Sequence, residues 1–141
     1  MFGEFALVVA ALFTGAAIYI NWAEQPARLG LDDKAMLAEW KPAYARGFMM
    51  QASLALVGFV LGVLEWLVTG NWHWFLGALA LVANWPFTLL VIMPTNRILN
   101  ETQDDEAGPH TRMLIEKWGR LHGVRSALGA LSTGLFLWAL I

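Results

Sequence analysis

Residues 72–96 read WHWFLGALALVANWPFTLLVIMPTN. No lysine, arginine or carboxylate interrupts the stretch. It exceeds the ~20 apolar residues that carry a helix across a bilayer. Yet Asn84, Pro86 and Thr88 stand in its middle, and it closes on Pro94-Thr95-Asn96. Polar groups in hydrocarbon are costly unless the protein uses them internally. The stretch therefore predicts a membrane helix with a purpose on one face.

Three more runs match it, giving spans at roughly 2–22, 48–68, 72–93 and 121–141. The chain is 58% hydrophobic and 14% charged, with eight tryptophans, which a soluble domain of 141 residues seldom shows. The runs are apolar nearly all round, which excludes a soluble bundle with polar outer faces. The fold class is therefore all-α: an integral-membrane four-helix bundle, one domain over residues 1–141. Glu4 replaces the basic start of a signal peptide, so the first run is expected to stay as a helix. With no cysteine, disulfides and thiolate chemistry are excluded.

Charge placement gives an orientation. Arg28, Lys34, Lys41 and Arg46 lie between the first two spans or beside them. Arg97, Arg112, Lys117, Arg120 and Arg125 lie between the last two spans or just inside the fourth. The positive-inside rule puts both longer loops in the cytoplasm and both termini on the other side, as expected in a bacterial inner membrane. Trp66, Trp72, Trp74 and Trp138 are expected to form an outer aromatic belt. In the first loop Asp32-Asp33 should cap a short amphipathic helix, which Pro42 interrupts. In the second, Pro109 should open a helix running into span four. The bilayer and a hydrophobic small molecule are the expected partners. No nucleic acid is expected, and a homo-oligomer is compatible with the pattern.

The helical period collects the polar residues into one stripe per helix. The stripes are Thr14, Asn21 and Gln25; Tyr44, Gln51, Gly58 and Glu65; Asn84, Thr88 and Thr95; and Trp118, His122, Arg125, Gly129 and Ser132. Facing one another, they predict a polar, aromatic-lined pocket toward the cytoplasmic side. Pro86 should bend its helix near Asn84, and Pro94 should help end it, with Asn96 at the pocket mouth. Arg125 needs a partner if buried, and Glu24 is the nearest candidate. Asn84 and Thr88 also suit interhelical hydrogen bonding, worth about 0.6 kcal/mol each. Thr95 and Asn96 also suit a helix cap.

The stretches PFTLLVIMPTNRIL and EKWGRLHGVRSAL resemble an integral-membrane family, largely of unknown function, that includes the anthrone oxygenases. The similarity extends to Asn21 with Glu24-Gln25-Pro26, to Trp40 and Tyr44, and to Gln51. The resemblance implies a four-helix membrane protein. For characterised members it implies oxidation of a phenolic anthrone to an anthraquinone by dioxygen, without metal or flavin. His122 would then be the base and Arg125 the holder of the developing oxyanion. Tyr44 and Trp118 would bind substrate by stacking, and Asn96 and Gln51 would orient its oxygens; the polar stripes add Asn84, Thr88 and Asn21 as further candidate substrate-binding residues. Two other classes stay open: a binding protein for haem or quinone, with His122 as an axial ligand, and a structural subunit of a membrane complex.

The orientation has a direct test. A cysteine placed at Ala107 should react with impermeant reagents from the cytoplasmic side only; labelling from the outer side alone would reverse the topology.

Overall fold

Each helix starts where a side chain or a proline deals with free backbone N–H groups. Asp32 accepts from the Ala35 N–H at 2.9 Å. Asn71 accepts from the His73 N–H at 3.1 Å. Pro109 occupies the first turn of the last helix. The computed structural model describes residues 1–141. It contains four long helices: α1 (Phe2–Leu29), α2 (Asp33–Thr69), α3 (Trp72–Glu101) and α4 (Pro109–Leu140). All four are long and apolar enough to cross a membrane. Gly70, at φ 70°, stops α2 in the left-handed conformation that glycine tolerates.

Consecutive helices pack side by side, and α4 returns to close the ring against α1. The expected spans lie inside these helices, which run further at their basic ends. Both longer loops consequently shrink. Residues 30–32 join α1 to α2, and residues 102–108 join α3 to α4 around a short turn at Asp104–Glu106. The short amphipathic helices expected there are extensions of the spans. Pro42 does not interrupt α2. It and Ala38 are both exposed, so the carbonyl it leaves unpaired lies on the outer surface. Pro94 does not end α3 either.

The reason lies in how the helices accommodate their prolines. In α1 the Gln25 N–H reaches back to the Ile20 carbonyl, a π-turn over Ile20–Glu24. In α3 the Met93 N–H reaches the Thr88 carbonyl, a π-turn over Thr88–Ile92. Each wide turn ends two residues before a proline, Pro26 or Pro94. A proline ring clashes with the carbonyl four residues back, and one extra residue in the turn relieves that clash. A further irregularity falls at Ala83, beside Pro86, as the bend expected near Asn84 requires.

Two apolar clusters fill the bundle. One, near the termini, contains Ala6, Ala10, Phe13, Ala78, Leu81 and Phe136. Trp74 belongs to it, 3% exposed and 5.4 Å from the Phe136 ring, so it is core and not aromatic belt. The other, at the basic end, contains Met36, Leu37, Trp40, Leu99, Ile115 and Trp118. Between them lies a layer of buried polar side chains. Ion pairs lock the basic end: Arg112 donates to Asp33 at 2.6 Å and to the Leu29 carbonyl at 2.9 Å, and Lys41 pairs with Asp104 at 2.8 Å.

Phe136 is wedged between glycines. A Cβ on Gly77 would lie 2.6 Å from its ring, and one on Gly62 would lie 2.8 Å from it. Gly77→Ala should therefore lower unfolding free energy by about 1–3 kcal/mol, the usual cost of overpacking. Phe136→Leu in the same background should restore part of it, read by thermal unfolding in detergent. An unchanged midpoint in Gly77→Ala would contradict this packing.

Candidate functional site

The π-turn of α1 brings Asn21 and Gln25 onto α4. Asn21 Nδ2 donates to the Gly119 carbonyl at 2.8 Å. That carbonyl only accepts, so the amide has one orientation. Asn21 Oδ1 must then accept, and it meets His122 Nδ1 at 2.9 Å and Ser126 Oγ at 2.7 Å. The neutral imidazole thus carries its proton on Nδ1. Nε2 keeps a free lone pair, with no partner inside the protein. Gln25 Nε2 donates to the Ile115 carbonyl at 2.9 Å. It reaches that carbonyl across Gly119, where a Cβ would lie 2.6 Å from the amide nitrogen.

Arg28 anchors the next layer. It donates to Gln25 Oε1 at 2.8 Å and to Glu24 at 2.8 Å, and it pairs with Glu39. Its guanidinium stands 5.5 Å over the Trp118 ring. Trp118 in turn lies 5.1 Å from the His122 ring and edge-on to Trp40 at 5.9 Å. Trp40 stacks on Tyr44 at 4.8 Å. One face of Tyr44 is therefore occupied within the protein. Its hydroxyl reaches the Met93 sulfur, a weak acceptor, at 3.9 Å, and Asn96 stands beside it.

Arg125 differs from Arg28 in having no acid. It is 6% exposed, and no carboxylate lies within ion-pair distance. The expected partner, Glu24, is engaged by Arg28. Its guanidinium carbon stands over the Phe13 ring, 5.8 Å from the centroid. Its Nε has no hydrogen-bond partner in the protein. Around it, Gln51 and Asn96 have neither amide atom partnered, and Asn84 Oδ1, Thr88 Oγ1 and Trp40 Nε1 are also unpartnered. An unmet buried polar group costs about 1–3 kcal/mol, and more when charged. So many in one layer mark a place built for something other than protein.

Two small chambers, each of about 20 Å³, flank Phe48 and Arg125. The α1/α2 chamber contains Tyr44, Gln51, Trp118, His122 and Arg125, beside Gly47. The α2/α3 chamber contains Ala52, Ala55, Asn84, Trp85, Thr88 and Arg125. Both are reached between helices. Asn96 and Thr95 are 0% and 3% exposed inside α3, so Asn96 forms no mouth and neither residue caps a helix end. Asn21 stands behind His122, outside both chamber walls. Phe48, being apolar, carries no signal in the sequence, and the Arg28–Glu39 pair is hidden because it spans the loop between α1 and α2. Trp40 was legible only as part of a motif.

Residues 40–135, more than half of the chain, match the family described as Anthrone oxygenase. The chain belongs to that family. Every unpartnered polar residue of the layer lies in the matched segment, whereas Asn21, Gln25 and Arg28 precede it. No curated protein and no solved structure is similar enough to match.

The Asn21 contact fixes a measurable property. Nitrogen NMR of ¹⁵N-histidine protein should show neutral His122 protonated on Nδ1 only, and Asn21→Ala should bring in the other tautomer. An Nε2-protonated ring in the parent protein would contradict the network.

Proposed function

We propose that this member of the anthrone oxygenase family oxidises a hydrophobic phenolic aromatic, of the anthrone class, with dioxygen and no bound cofactor. The observation that carries this reading is Arg125, a buried guanidinium with no acid, beside an imidazole whose Nε2 is free. Such a pair suits a substrate that becomes an anion during reaction. Arg125 stays charged and attracts a phenolic or carbonyl oxygen as negative charge develops on it. His122 Nε2 removes a proton from the activated methylene, with Asn21 holding the ring in the required tautomer.

The carbanion then gives its electrons to dioxygen and forms a carbon–oxygen bond to a peroxide. Loss of the second methylene proton with cleavage of the O–O bond leaves a ketone. The two hydrogens and one oxygen depart as water, so CH₂ plus O₂ becomes C=O plus H₂O. Gln51 and Asn96, unpartnered within the protein, orient the oxygens of the ring system. At about 20 Å³ the α1/α2 chamber, as it stands, has room for a molecule of only one or two heavy atoms. A tricyclic ring enters when α1 and α2 part at Gly47, where the nearest side chain would lie 3.8 Å from an added Cβ.

A haem held by His122 fits less well. The layer offers no second histidine, since His73 and His110 stand near the starts of α3 and α4. Trp118 also covers one side of the imidazole at 5.1 Å. The charge distribution supports placing both termini on the non-cytoplasmic side of a bacterial inner membrane.

Oxygen uptake in nanodiscs with anthrone-class substrates, and without added metal or flavin, tests the reading. His122→Ala should lose about 10²-fold or more in turnover, within the range for a general base. Arg125→Lys should fail too, because an ammonium lacks the planar fork. Asn100→Ala, at an exposed position, should change little. Full activity in His122→Ala, or no uptake with any such substrate, would refute the assignment.

A further inference from the structure

We infer that the α2/α3 chamber is a separate dioxygen site, fed from the acyl-chain layer and closed on the outside by Trp85. The inference rests on the oxidase reading above, but its structural evidence is independent of the base.

The chamber lies across Phe48 and Arg125 from His122, and His122 does not line it. Its walls are mostly apolar: Phe48, Ala52, Ala55, Trp85 and Leu89. Leu89 is 50% exposed and Trp85 39% exposed on an apolar stretch of the bundle surface, so the outer wall faces lipid. Trp85 Nε1 donates to the Ala52 carbonyl at 3.2 Å, tying α3 to α2 across the opening. Dioxygen is apolar and dissolves better in hydrocarbon than in water, so the bilayer is its natural supply. Its volume of about 20 Å³ equals that of the α1/α2 chamber and suits a molecule of two heavy atoms, but here the Trp85–Ala52 bond ties the helices against the widening that a ring would need.

The floor carries the second observation. Asn84 Oδ1, Thr88 Oγ1 and Arg125 Nε are all more than nine-tenths buried and unpartnered. Asn84 Nδ2 donates to the Leu81 carbonyl at 3.0 Å, which leaves Oδ1 as the free atom of the amide. Neutral dioxygen gains little from these groups. Once it accepts electrons from the substrate anion, the guanidinium attracts it strongly. After protonation, Asn84 and Thr88 can accept from the peroxide O–H. The site thus favours reduced oxygen over dissolved oxygen, which is the differential binding that speeds a reaction. Arg125 is shared, so the anion and the oxidant meet at one cation from opposite sides of α2.

Two measurements test this together. Xenon-pressurised crystals should show xenon between Ala52, Ala55 and Thr88. Ala52→Leu, which fills the chamber from its outer wall, should raise the KM for dioxygen about tenfold and leave the KM for the aromatic unchanged. Gly47→Val, on the other side of α2, should show the reverse split. An empty chamber under xenon, or an unchanged dioxygen KM in Ala52→Leu with normal turnover, overturns the port while leaving the reaction intact. Xenon in the chamber of a protein that consumes no dioxygen with any anthrone-class substrate overturns the reaction, and dioxygen as occupant with it.

Discussion

Arg125 carries a full positive charge into the middle of a bundle made largely of alanine, leucine and phenylalanine, and no side chain there neutralises it. A buried ion without a partner costs several kcal/mol even after relaxation. A hydrophobic isostere would pack as well and cost less. The charge therefore makes sense in relation to something that enters the protein. Much of the surrounding architecture stems from having to hold it. Two apolar clusters seal the layer above and below, and Glu24, the acid that lines a chamber with Arg125, is held by Arg28 instead.

That separation is achieved by a second arginine. Arg28 takes Glu24 and Glu39, uses Gln25 as a third acceptor and lies over Trp118. The two arginines show opposite electrostatic designs within one helix bundle. One is fully paired and rigidifies the aromatic wall; the other is left free to attract an anion. A Glu24 side chain turned toward Arg125 would satisfy the guanidinium permanently and cancel its capacity to discriminate a charged state from a neutral one.

The fold was legible because hydrocarbon imposes one rule, that apolar runs of span length become helices. The same cost of polar groups in lipid puts Asn84, Gln51, His122 and Arg125 in the interior, where all four are buried. Local breakers misled. Pro42 and Pro94 read as stops, yet one lies on an exposed face and the other is absorbed by a π-turn. Periodicity assumes a constant turn width, so it cannot register a wide turn. Partner choice was illegible for a related reason. Glu24 and Arg28 stand four residues apart, at helical ion-pair spacing, but a span ending at Trp22 hides that pair, and only the continuation of α1 through its π-turn to Leu29 makes them neighbours. Trp74 read as belt because interface and core tryptophans look alike in a list of residues.

The two π-turns give the prolines a structural meaning. Each supplies one extra residue and rotates the remainder of its helix about the axis. Gln25 in α1 and Met93 to Asn96 in α3 therefore meet α4 and α2 on faces that a regular helix would turn elsewhere. Asn21 lies in the first wide turn and Thr88 opens the second. One sets the tautomer of His122, and the other presents an unpartnered hydroxyl beside Arg125. Asn21 stands outside the segment that defines the family, while the histidine it orients stands within it. The chemistry is therefore divided. In the proposed reaction the matched segment would carry the reacting groups, and α1, through Asn21, determines which nitrogen of His122 keeps its lone pair.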